Sequence, residues 1–124
     1  ISLLVGAIGI ANTMYTSVIE RTREIGVMKA VGAKNSDILT IFVIESGLLG
    51  AVGGIIGVLL GIIISKTIEY IAKVQLSTTL LKAAMPIPLI LGCILFAFLI
   101  GSFSGFWPAW KASKLKAVDA LRYE

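Results

Sequence analysis

The 124 residues are 57% hydrophobic and 15% charged, with a mean hydropathy of +0.99 and a formal net charge of +4 from 11 Lys and Arg against 7 Asp and Glu. That composition excludes a soluble domain of this size and points to an integral membrane protein. The basic excess lies mostly outside the apolar runs, where it suits anionic lipid head groups, and no basic groove with interleaved aromatics fits nucleic acid.

Histidine is absent and no Cys, Asp or Glu cluster has ligand spacing, so no metal site and no catalytic residue is expected. The single cysteine, Cys93, sits in an apolar run and reads as a small buried hydrophobe.

In chain order, Ile1 to about Ile19 reads as a first spanning helix. No charged flank precedes it, as a signal peptide would require, so the run is expected to be the later part of a span whose start is missing. Gly6 with Gly9, or Ala7 with Ala11, offers a groove for close helix approach. Asn12 either bridges helices through a hydrogen bond worth about 1 kcal/mol or sits near the interface.

Glu20 to Ala33 is a charged, amphipathic stretch between two apolar runs, and its punctuation predicts a short helix over about 22–31. Thr22 is placed to cap it with Glu24 in the first turn, although Ser17 and Glu20 also have capping-box spacing. Gly32 can close the helix in the left-handed conformation, and Asn35 or Ser36 can cap the next one with Asp37 at its positive end. Ile25, Met28 and Val31 form an apolar strip, with Arg21, Arg23, Glu24 and Lys29 supplying charge around it. The strip suits either a docking element or a helix lying flat on lipid.

A second span is predicted over about 37–65, with Ile68, Ile71 and Ala72 extending the helix outward by a turn or two, and a third over about 86–107. At about 1.5 Å per residue each covers all or most of about 30 Å of hydrocarbon. Segments this uniformly apolar do not alternate as barrel strands do, so the fold class is all-α: three transmembrane helices with a short cytoplasmic helix between the first and second. Gly53, Gly57 and Gly61 recur every four residues, a packing signal that serves contact within the chain or contact between two subunits. Glu45, roughly 12 Å along the helix from Asp37, needs a polar neighbour; a structural hydrogen bond is favoured over a proton or ion relay, since no further ionisable group shares its depth.

Residues 108–124 form a cytoplasmic tail, in which Ala112, Leu115, Val118 and Leu121 give an amphipathic face and Lys111, Lys114 and Lys116 can lie on anionic lipid. The loop after the first span and the tail carry eight basic residues against Lys66, Lys73 and Lys82 in the remaining loop, which places loop and C-terminus in the cytoplasm and 67–85 outside. Trp107, Trp110 and Tyr123 suit a cytoplasmic aromatic belt, and Tyr70 an outer anchor.

Glu20 through Ala33, followed by Asp37-Ile38 and a glycine-rich span, resembles the loop of FtsX/MacB-type ABC transporter permease subunits. Pro108 to Glu124 is similar to that family's closing segment, with a proline leaving the last span and a Val-acid-Ala-Leu-Arg run, here Val118 to Arg122; Ala117 departs from the proline common before that valine. The resemblance implies that residues 1–124 are the C-terminal transmembrane part of a four-helix permease domain in the cell membrane. A large extracytoplasmic domain would precede them, together with an outer partner.

The same resemblance implies a homo- or heterodimer of permease subunits on a pair of cytoplasmic ATPase subunits, with Arg21, Arg23, Glu24, Ile25, Met28 and Lys29 docking as a coupling helix. The chain has no phosphate-cradling glycine loop ending in Lys-Ser or Lys-Thr, so ATP and Mg2+ are expected in the partner and no cofactor here. Two functions share this architecture: export or extrusion of a drug, peptide or lipoprotein, and ATP-driven signalling across the membrane to a cell-wall hydrolase.

Overall fold

The computed structural model describes residues 1–75 and 84–115. They form four helices: α1 (Ser2–Glu20), α2 (Thr22–Ala30), α3 (Asn35–Gln75) and α4 (Ile87–Ser113). No strand occurs among the described residues. Helices α1, α3 and α4 are each long and apolar enough to cross a membrane, so the chain is a multi-pass membrane protein of all-α class. Lys82 and, in the tail, Lys116, Val118, Leu121, Arg122 and Tyr123 lie outside the described residues.

Two helix ends differ from the sequence-based expectation. Helix α3 runs ten residues past Ser65, further than the expected turn or two. No breaker interrupts Lys66–Gln75, and alternating apolar and charged residues suit a helix leaving the hydrocarbon. Helix α4 does not end at Trp107: it passes through Pro108 to Ser113, so the first six residues of the predicted tail continue the same helix. A mid-helix proline removes one ladder hydrogen bond. Here Pro108, Ala109 and Ala112 are all buried, and that packing carries the helix past the break.

The longest interface joins α3 to α4; α1 packs mainly on α4. The α3–α4 crossing runs antiparallel and is built on small residues: Gly47 faces Phe98 and Ser102, Gly50 faces Ala97 and Gly101, Gly54 faces Ala97, and Gly105 faces Ser46. A Cβ on Gly101 would lie 2.5 Å from the Ser46 carbonyl oxygen and 2.9 Å from Gly50 Cα, so only glycine permits the approach. The predicted stripe Gly53, Gly57 and Gly61 is not this contact: a Cβ at any of the three, or at Gly6 or Gly9, meets no neighbouring element among the described residues within 4 Å. Further along, α3 and α4 part around a cleft of about 450 Å³ lined by Gly57, Gly61, Ser65, Leu89 and Cys93. Cys93 is exposed there, contrary to its reading as buried.

The apolar core gathers at the opposite end of the bundle, where Met14 and Val18 of α1, Ile25 of α2, Ile38 and Phe42 of α3, and Ala109 and Ala112 of α4 form one buried cluster. Asn12 lies on the exposed side of α1, away from Met14 and Val18.

Candidate functional site

The short helix α2 is the element that the sequence singles out, and its setting is built from the chain outward. A single non-helical residue, Arg21 (φ −98°, ψ 15°), separates it from α1. Thr22 does not cap α2 as expected. Its Oγ1 donates backward, lying 2.9 Å from the carbonyl oxygens of both Val18 and Ile19, and so serves the end of α1. The alternative Ser17–Glu20 capping box is not formed either, and no side chain caps the α2 N-terminus.

The far end of α2 follows the predicted punctuation. Gly32 has φ +105°, its N–H bonds to the Lys29 carbonyl, and the Ala33 N–H bonds to Met28, each at 3.0 Å. These two bonds form a Schellman closure. At the start of α3 the first-turn Asp37 reaches back, and its Oδ2 accepts the Lys34 N–H at 3.0 Å. A carboxylate at this N-terminus also complements the helix dipole.

Glu45 has the polar neighbour its depth requires. Arg21 Nη1 lies 3.2 Å from Oε1 and 3.4 Å from Oε2, an ion pair across the α1–α3 junction. Arg21, expected on a docking face, is thereby engaged within the chain.

Three further residues of the expected docking set also turn inward. Ile25 is 0% exposed in the core cluster and Met28 packs against it. Lys29 Nζ donates to the Ser113 carbonyl at 2.6 Å and to the Leu115 carbonyl, both at the end of α4. The apolar strip fails as a single face for a geometric reason. Each three-residue step falls about 60° short of a full turn, so Val31 has rotated about 120° from Ile25. Val31 is 86% exposed. The outward face of α2 is therefore Arg23, Glu24, Val27, Ala30 and Val31. Val27 and Val31 carried no sequence signal distinguishing them from the core positions; only the burial of Ile25 orients the helix.

Beside α2, a cleft of about 550 Å³ opens between α1 and α4, lined by Tyr15, Glu20, Arg23, Pro108, Lys111 and Leu115. Next to it Trp107 and Trp110 pack with ring centroids 6.1 Å apart, Lys111 over the first at 5.8 Å and Lys114 over the second at 3.6 Å. Amphipathic rings and lysines of this kind suit a membrane–water boundary. No group of His, Cys, Asp and Glu among the described residues could hold a metal.

Residues 1–117 match the family model described as FtsX-like permease C-terminal. The chain is 48% identical over its full length to the ABC transporter permease MJ1507 of Methanocaldococcus jannaschii, covering 31% of that protein. It is 47% identical over its full length to the ABC transporter permease YvrN of Bacillus subtilis, covering 29% of it. A third relative, the macrolide export ATP-binding/permease protein MacB of Chlorobium phaeobacteroides, is 49% identical over 93% of the chain and 16% of its own length. The chain thus spans less than a third of each of these three relatives.

Proposed function

Because the chain belongs to the FtsX-like permease family of ABC transporters, we propose that it passes ATP-driven motion from a cytoplasmic ATPase to the extracytoplasmic side, for export or extrusion of a drug, peptide or lipoprotein. The carrying observation is the two-sidedness of α2. Ile25, Met28 and Lys29 hold it to the bundle, while Arg23, Glu24, Val27, Ala30 and Val31 face outward. A helix that only lay on lipid would turn its apolar residues to the bilayer, whereas this outward face mixes an ion of each sign with small apolar side chains. A charged protein groove fits it better.

In this reading α2 is the coupling helix, and α2 and the end of α4 lie in the cytoplasm, in keeping with Arg21, Arg23, Lys29, Lys34, Lys111 and Lys114 at that end. Hydrolysis of ATP with Mg2+ belongs to the ATPase. A second permease subunit completes the complex, with the open glycines Gly6, Gly9, Gly53, Gly57 and Gly61 available to it.

Single cysteines at Val27 and Val31, on a Cys93→Ala background, test the docking face by cross-linking to the cognate ATPase. Nucleotide-sensitive cross-links are expected; their absence in an intact complex rejects the coupling role. Cargo movement by the reconstituted full-length complex then separates export from signalling to a cell-wall hydrolase.

A further inference from the structure

We infer that Lys29 is the positioning residue through which displacement of α2 reaches α4. The inference rests on α2 being the coupling helix, and it changes the route along which motion enters the membrane. Chain connectivity suggests α1, which runs into α2 with only Arg21 between them. The attachments say otherwise.

Arg21 (φ −98°, ψ 15°) interrupts the helical geometry, so the junction is a bent pivot, tied by the Arg21–Glu45 pair and the Thr22 hydroxyl, rather than a continuous rod. Beyond the pivot, α2 is fastened to residues more than eighty positions away. The Lys29 ammonium donates to the Ser113 carbonyl at 2.6 Å and to the Leu115 carbonyl. Ser113 is the last residue of α4, where carbonyls lack ladder partners and a cation complements the negative end of the helix dipole.

Lys29 is half-buried, which shields these charge-assisted bonds from water. The cluster that Ile25 shares with Ala109 and Ala112 is apolar and non-directional, so that packing can slide; the two bonds from one nitrogen fix direction and register. A push on α2 therefore carries the end of α4 with it, while α1 turns at Arg21.

The test uses the full-length permease with its ATPase in nanodiscs of phosphatidylethanolamine and phosphatidylglycerol, on a Cys93→Ala background. A spin label is placed at Phe103 of α4 or at Ile8 of α1, positions 87% and 68% exposed. Distances between labels on paired subunits are measured with and without ATP and vanadate.

For Lys29→Met the expected result is loss of the nucleotide-dependent shift at Phe103, retention of the shift at Ile8, and unchanged ATPase co-purification; Lys29→Arg retains both shifts. Lys29→Gln, which keeps a neutral donor, replaces the Met variant if the latter does not fold. A wild-type shift at Phe103 in the Met or Gln variant overturns the inference, as does loss of ATPase binding, which would place Lys29 on the docking face. A wild-type complex that holds no ATPase rejects the coupling role itself, a result distinct from either.

Discussion

Arg21 and Glu45 join the pivot between α1 and α2 to the first third of α3, with Nη1 3.2 Å from one carboxylate oxygen and 3.4 Å from the other. Both side chains remain partly exposed, at 50% and 32%. A partly solvated pair of this kind is worth about 0.2–1 kcal/mol. The pair sets the angle of a junction more than it holds the fold together.

A double-mutant cycle on Arg21→Ala and Glu45→Gln measures that bond. Each variant is expected to lower the melting temperature of the detergent-solubilised protein slightly, with a coupling energy of about 0.2–1 kcal/mol that shrinks as salt is raised. Additive effects would remove the ion pair from the account. Complete loss of activity in Glu45→Gln with intact assembly would instead restore a proton or ion relay.

Ile25 and Val31 lie six residues apart on α2 and should respond in opposite ways. Truncating the fully buried Ile25 to Ala is expected to cost about 2–5 kcal/mol, seen as a lower melting temperature with a weakened but unaltered docking surface. Val31→Glu should leave the melting temperature within experimental scatter and reduce ATPase co-purification. Equal stability losses in both variants would contradict the two-faced arrangement.

The helix crossing makes a third comparison. Gly101→Val places a side chain against the Ser46 carbonyl and the Gly50 backbone, so α3 and α4 must separate; a destabilisation of at least about 1–3 kcal/mol is expected. At Gly57 an added Cβ meets no neighbouring element among the described residues, and the cleft beside it has room for a larger side chain, so Gly57→Val should leave the monomer fold nearly as stable as before. Where a second subunit packs on that stripe, the same change weakens the dimer, which native mass spectrometry reports.

Much of this arrangement was legible because it is local. Three apolar runs, a short charged helix and the left-handed Gly32 depend on residues within one or two turns, and the structure has all of them. What escaped depends on distant partners. Lys29 reads as a surface charge until Ser113, 84 residues later, arrives beside it. Thr22 has the composition of a cap for the helix after it but bonds to the helix before it.

The glycines mislead for a reason peculiar to membranes. In water an apolar stripe shows which face of a helix turns inward. In α3 and α4 every face is apolar, so the even spacing of Gly53, Gly57 and Gly61 stood out, while Gly47, Gly50 and Gly54 gained meaning only once Ala97, Phe98, Gly101 and Ser102 of α4 faced them.

The 41 residues of α3 measure about 60 Å at 1.5 Å per residue, roughly twice the hydrocarbon thickness of a bilayer. Its base is gripped by Ile38 and Phe42 in the buried cluster. A helix of this length reaches beyond the hydrocarbon it crosses. It has the proportions of a lever arm. A tilt of about 5° at the gripped end sweeps the tip through about 5 Å, so small adjustments at one surface emerge enlarged at the other.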